Sequence, residues 1–222
     1  MELALIQWAG RALRKAGEGI LSRRGINGTW IDVGAHHGEM TIGYARHNPG
    51  LTIYAIEPNL RAAVRMMGHS PNVIVIPMAI AEKDGSADFH INAFEQSSSL
   101  LPMNEQALQT WVGLEKLKVD SVVTVPTIRL DTFMDLMGIN TVDFLKIDTQ
   151  GTDLSVVRSA GSRLRDVAKI TLEVEVAPTH LYSGAPSKDE VVRFLDEAGF
   201  ALVGVESQTH GQEENLTFVR KQ

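Results

Sequence analysis

The chain has 222 residues, 44% of them hydrophobic and none of them cysteine, with 21 basic against 27 acidic residues for a net charge of −6. That length and apolar content suit one sizeable core, so residues 1–222 are read as a single domain. Without cysteine there is no disulfide framework, thiolate metal site or cysteine nucleophile, and the interspersed charges leave no basic footprint for nucleic acid; the expected compartment is cytoplasmic.

The first 27 residues carry Leu3, Leu5, Ile6, Trp8 and Ala9, then turn basic at Arg11, Arg14, Lys15, Arg23 and Arg24. A secretory signal has the reverse order, and no run reaches the roughly eighteen apolar residues of a membrane span. The pattern predicts an amphipathic helical extension packed on the core. Covering a cofactor, pairing two subunits as a homodimer or touching a membrane are the other roles open to it.

From residue 28 to 220, short β-rich apolar runs alternate with helical segments, as in an α/β fold with a mostly parallel sheet. Strands are predicted at 29–33, 51–56, 73–77, 142–147 and 168–174, with helices at 39–47, 60–67 and 152–160. Ser187, with Glu190 three residues on, opens a helix over 187–198, and strands at 200–206 and 216–220 follow. The polar link between them reverses the chain, giving an antiparallel pair at one sheet edge. Residues 84–138 form too long a connection to be a simple loop and are read as an accessory region for substrate selection. Within it a short strand to Ile91, another at 121–128, and a lid over 92–102 containing Gln96-Ser97-Ser98-Ser99 are expected.

The first strand runs into Asp32-Val33-Gly34-Ala35-His36-His37-Gly38. Glycines at a strand-to-helix turn let backbone approach a ligand, as in a dinucleotide-binding turn, but Asp32 stands where that pattern has its first glycine. A cofactor without pyrophosphate needs no phosphate cradle, so the turn points to S-adenosylmethionine and away from a nicotinamide-dependent reductase. The second strand ends at Glu57-Pro58, about 25 residues beyond Asp32, where a ribose diol needs an acceptor; the same acid also suits the start of the following helix. Met78-Ala79-Ile80 follow the third strand and border an adenine lying across the sheet edge. Asp32, Gly34, Ala35, Gly38, Glu57, Pro58, Ala79 and Ile80 are therefore the expected cofactor residues, and loss of Asp32 or Glu57 is expected to weaken binding without disturbing the fold.

The fourth strand closes on Lys146-Ile147-Asp148-Thr149-Gln150-Gly151, and alternation puts Phe144, Lys146 and Asp148 on one face. A lysine inside a central strand needs a partner, which Asp148 or Glu175, at the end of the next strand, is placed to supply. Methyl transfer needs alignment and the removal of one proton. Asp148 ranks first as base, His37 or His36 next, with Lys146 stabilising an alkoxide or orienting Asp148. Asp148, Glu175 and a histidine are the weaker reading of a metal site; no compact spacing such as H-E-x-x-H appears, and no metal is assigned.

The blocks DVGAHHGEMT, YAIEPNL, IRLDTFMDLMGINTVDFLKIDTQGTDLSVVRSA and TLEVEVAPTHLYSGAP together resemble the FkbM-type S-adenosylmethionine-dependent methyltransferases over about residues 28–220. The resemblance implies a class I methyltransferase, Rossmann-like sheet and O-methylation of a small-molecule, sugar or secondary-metabolite hydroxyl. Asp32, Gly34, Gly38 and Glu57 match the cofactor motifs, Lys146 and Asp148 the fourth-strand motif, and Glu175 the acid before Leu181-Tyr182. Many relatives have Glu where this chain has Gln150, so any role of that acid as base or metal ligand must be met otherwise here. The departure also motivates the alternative of a non-catalytic, cofactor-binding partner protein.

Overall fold

A computed structural model describes residues 25–112 and 117–222, so the helical extension expected over residues 1–27 lies, up to residue 24, outside the described residues. Two sheets make the scaffold. The larger is built from β1 (Gly28–Val33), β2 (Leu51–Ile56), β3 (Val73–Ile76), β7 (Phe144–Ile147), β8 (Lys169–Glu175), β9 (Phe200–Gln208) and β10 (Glu213–Arg220), in the order β3-β2-β1-β7-β8-β10-β9. Its pairings are parallel from β3 through β8, whereas β10 runs antiparallel to both β8 and β9. The expected antiparallel closure is therefore present, and its reversed strand lies one place in from the edge.

The strands match expectation to within a few residues because buried parallel strands are written as nearly unbroken apolar runs. Ile31, Val33, Leu145 and Ile147 point into one core with Ile170, Leu172, Leu216 and Phe218. On the opposite face Trp30 packs against Tyr44 and Phe144, ring centroids 5.0 and 5.1 Å apart. Helices α1 (Thr41–His47) and α2 (Leu60–Met66) follow β1 and β2; α5 (Asp153–Ser159) and α6 (Lys188–Glu197) follow β7 and β8. Ser187 accepts from the Glu190 amide and caps α6, as its spacing predicts.

Residues 84–138 hold most of the second sheet, where β6 (Val119–Ile128) pairs antiparallel with β5 (Gly85–Asn92) and parallel with β4 (Ala79–Ile80). The short helix α3 (Ala107–Thr110) lies between β5 and β6. A further helix, α4 (Leu130–Leu136), was not expected: its buried Leu130, Phe133 and Met134 recur at helical spacing, but over barely two turns. The expected lid is a pinned cover. Asn92 Nδ2 donates to the Ser97 carbonyl, Ser99 Oγ donates to the Gln150 carbonyl at 2.6 Å, and Ser97, Ser98 and Ser99 are buried. Among the described residues no helix is long and apolar enough to cross a membrane.

Leu145 is fully buried between β1 and β8, so Leu145→Ala is expected to cost about 2–5 kcal/mol. Val203→Ala on exposed β9 should stay within about 0.5 kcal/mol of the parent. Urea midpoints compare the two; equal midpoints would contradict the placement of the core.

Candidate functional site

The register pairs Asp32 with Lys146 across β1 and β7, and parallel pairing puts both side chains on one face at the carboxyl end of the sheet. Lys146 Nζ lies 3.0 Å from Asp32 Oδ1, 3.6 Å from Asp148 Oδ2 and 3.4 Å from the Gly34 carbonyl. Burial pulls the ammonium pKa down, but the charges of Asp32 and Asp148 outweigh it and hold Lys146 above the usual lysine value. It stays a cation. Asp32 is only 3% exposed, and its second oxygen accepts the Thr41 hydroxyl proton from the first turn of α1. Asp32 is thus committed to a buried lysine, so its loss is expected to cost stability as well as any contact with the donor.

The glycines of the turn serve the protein's own packing. Gly34, at φ +77°, would place a Cβ 1.9 Å from the Asp148 carbonyl oxygen. A Cβ on Gly38, at φ +72°, would meet Ile42 and Met66 at 2.9–3.1 Å. Gly38 does not line the cavity described next; Gly34 and Ala35 do.

A cavity of about 270 Å³ opens above the ends of β1, β2, β7, β8 and β10. At one end Glu57, 6% exposed, accepts the His36 and Asn59 amides, both at 2.8 Å. Burial raises its pKa, and the two amides oppose that rise. Each carboxylate oxygen keeps a free lone-pair direction, enough for a vicinal diol. Pro58, Met78, Ala79, Ile80, Phe89 and Leu100 supply largely apolar walls beside it. A diol acceptor next to an apolar slot fits the nucleoside half of S-adenosylmethionine.

The histidines separate. His36, held at φ +48°, lines the cavity with Nδ1 2.7 Å from Glu39 Oε1. His37 stacks on it at 3.7 Å but does not line the cavity; its Nε2 meets Arg65 at 3.0 Å. Burial, then the neighbouring His36 and Arg65 charges, lower the His37 pKa despite Glu39 and Glu95. Among the described residues only His36, His37 and Glu95 bring three metal-ligand atoms together, within 4.8 Å, and Arg65 already occupies His37 Nε2. Glu175 has His180 Nδ1 at 3.9 Å from its Oε2, but among the described residues that pair makes no three-ligand group with Asp148.

Beyond Asp148 the cavity becomes acidic. Asp148, with 32% of its side chain exposed, lines the wall between the two ends. Gln150, strained at φ +57°, donates through Nε2 to Asp148 Oδ1 and Glu173 Oε2, both at 2.9 Å. The Tyr182 hydroxyl lies 2.9 Å from Gln150 Oε1 and 2.8 Å from the Ser97 carbonyl. Gln150 therefore clamps two carboxylates that would otherwise repel each other. Burial, with the charges of Glu213, Asp148 and Asp153, pushes Glu173 well above the usual carboxylate range. Burial likewise raises Asp153 and Glu213 to about 7.

Glu175 differs from expectation. It accepts the Leu181 and Tyr182 amides at 2.7 and 3.2 Å, lies outside this cavity, and leaves Lys146 to Asp32 and Asp148. Burial brings its pKa to about 7. Its visible role is to hold the loop after β8.

Glu173, Gln208 and Glu213 were not singled out from sequence. Glu173 lies two residues before Glu175 on the same face of β8, a signal present in the alternation. Gln208 and Glu213 reach the cavity through β9 and β10, whose insertion beside β8 no local pattern states.

Residues 32–202 match the family model described as Methyltransferase FkbM domain. The 2-O-methyltransferase NoeI of Sinorhizobium fredii (strain NBRC 101917 / NGR234) is 26% identical over 165 residues. That match covers 69% of this chain and 65% of the relative, so the chain spans slightly less than two thirds of it. Among solved structures, Aeropyrum pernix fibrillarin with natively bound S-adenosyl-L-methionine superposes with a TM-score of 0.53 at 13% identity, covering 95% of this chain and 76% of that one. A fibrillarin/Nop5p complex gives the same TM-score and identity, covering 94% and 82%. At such identities the likeness is one of fold.

Asp32→Ala leaves a buried ammonium short of a partner and is expected to cost about 3–5 kcal/mol. Adding Lys146→Met should recover most of that loss in chemical unfolding; an Asp32→Ala variant as stable as the parent would separate the pair from stability. A second expectation concerns pH. Asp153 and Glu213 titrate near 7 folded and, as ordinary carboxylates, near 4 unfolded, so the folded state keeps protons the unfolded state has released. Their contribution falls as pH rises from about 4 to about 7. Glu213→Gln should flatten that decline in unfolding midpoints, and an unchanged slope would remove Glu213 from the titrating set.

Proposed function

The chain belongs to the methyltransferase FkbM domain family, with S-adenosylmethionine as methyl donor, and from that premise we propose that it methylates a hydroxyl of a small molecule or sugar. The observation that carries this reading is the position of Asp148, on the cavity wall between the nucleoside-sized end at Glu57 and the acidic end at Glu173 and Glu213. The hydroxyl chemistry is also that of the relative's name, a 2-O-methyltransferase.

Bound S-adenosylmethionine supplies a methyl group activated on a sulfonium, whose transfer to oxygen breaks the carbon–sulfur bond, leaves the electron pair on sulfur and frees the hydroxyl proton. Asp148 is assigned to receive that proton. Its Oδ1 is fixed by the Gln150 amide, and its Oδ2 lies 3.6 Å from the Lys146 ammonium, so the carboxyl is held in place at the cavity wall. Lys146, held protonated, serves as an electrostatic support and takes up no proton. Glu57 and the Met78–Ile80 wall orient the donor, and the pinned cover from Phe94 to Leu100 excludes water from above. The Gln150 amide sets the Asp148 geometry, which favours a working enzyme over a cofactor-binding partner protein.

Calorimetry with S-adenosylhomocysteine should show binding that Glu57→Ala weakens at least about tenfold, since two diol hydrogen bonds to a carboxylate are lost. Asp148→Asn should retain donor affinity yet lose about 10²–10⁴-fold in turnover, followed by labelled-methyl incorporation into a panel of hydroxylated acceptors. Absence of nucleoside binding would sink the assignment of the donor seat; near-normal turnover would remove Asp148 as base.

A further inference from the structure

The acidic end of the cavity gathers more carboxyl groups than the described residues supply with cationic partners. Among the described residues lining it, Asp32, Asp148, Glu173 and Glu213 share one ammonium, Lys146, which sits closest to Asp32 and next to Asp148. The other partners of Asp148, Glu173 and Glu213 are neutral: the Gln150 amide for the first two and the Thr209 hydroxyl for the third. Such a cluster could serve folding alone, but a second observation concerns a different group. Gln208, 5% exposed, lines the same cavity, and its Nε2 has no hydrogen-bond partner. A buried amide N–H without an acceptor costs about 1–3 kcal/mol, which an oxygen on a ligand relieves.

The occupant is not a bare metal ion. Among the described residues, the only three ligand atoms lying within 4.8 Å of one another belong to His36, His37 and Glu95. Asp148, Glu173 and Glu213 are too spread to close on one cation, and the space between them suits an organic group with donors on several sides.

We propose that the methyl acceptor is an amine-bearing polyol of the amino-sugar class. Its ammonium sits between Glu173 and Glu213, a ring or hydroxyl oxygen accepts from Gln208 Nε2, and the hydroxyl to be methylated meets Asp148. This rests on the methyltransferase reading above and names the acceptor for that same site. An ammonium there supplies the cationic partner these carboxyls lack, and its N–H groups match carboxylates better than a neutral hydroxyl does. Burial raises both carboxyls, Glu213 to about 7, and an ammonium between them favours their ionised forms, so binding releases protons to the buffer.

The test uses the full chain saturated with S-adenosylhomocysteine. Methyl glycosides of 2-amino-2-deoxy and 3-amino-3-deoxy sugars, each paired with its N-acetyl derivative, are titrated by calorimetry in two buffers of different ionisation enthalpy. In at least one pair the free amine is expected to bind about tenfold or more tightly than its neutral partner, with net proton release. Glu213→Gln, and independently Glu173→Gln in case one variant folds poorly, should erase most of that preference while S-adenosylhomocysteine affinity is kept. Gln208→Ala should weaken both members of the pair. Equal affinity within every pair, or no binding by any probe, while S-adenosylhomocysteine still binds, overturns the amine subsite and leaves the methyltransferase reading standing. Failure of S-adenosylhomocysteine to bind the parent protein overturns that reading instead.

Discussion

Burying the Lys146 ammonium between two strand ends constrains everything around it. A lysine in a central parallel strand survives only if opposite charge meets it, and the parallel register delivers Asp32 from β1 and Asp148 from the residue after β7. The Asp32–Lys146 pair ties the first strand to the fourth core strand where the sheet opens into the cavity. Thr41 extends the tie to α1, so the helix after the turn is anchored to the same carboxylate. Such a pair adds little net stability against an apolar alternative, yet removing one member is costly. Its benefit is positional.

The same economy of charge reaches the acidic end. Carboxylates this close are tolerated because Gln150 spends both amide protons on them and turns its oxygen to Tyr182. Gly151 sustains that arrangement: at φ +93° a Cβ there would sit 2.8 Å from Tyr182 Cβ, so any other residue pushes the ring away from Gln150. Glu175, by holding the Leu181 and Tyr182 amides, fixes the same ring from the other side. Raised carboxyl pKa values, a left-handed non-glycine residue and an unpartnered buried amide therefore gather at one end of one cavity. Local rules broken together in one place mark function more often than accident.

Legibility followed range. The β1 turn, the acid closing β2 and the Lys146–Asp148 strand end were all readable, because each is a short run whose alternation and punctuation state the element and its exposed tip. Gly34 was readable as necessary at the turn, but its close approach to the Asp148 carbonyl, more than a hundred residues away, was not. The two histidines were unreadable as a pair because a positive φ at His36 decides which ring enters the cavity, and nothing in adjacent imidazoles encodes that. Helix α4 hid because its apolar period spans barely two turns. Gln208 and Glu213 hid because β10 enters the sheet between β8 and β9, a pairing that depends on the whole fold.

That division of range maps onto the division of the cavity. The Glu57 end, proposed to seat the donor, is built mostly from the two consecutive β-to-α turns after β1 and β2, so its chemistry is written locally. The acidic end, proposed to seat the acceptor, is assembled from β7, β8, β9 and β10, so its chemistry depends on long-range pairing. Asp148 belongs to both. Its carbonyl requires the absence of a side chain at Gly34, while its carboxylate faces Lys146 on one side and Gln150 on the other. Any substitution that displaces the first turn must therefore also displace Asp148, and on the proposed reading donor geometry and proton removal are coupled through that one residue.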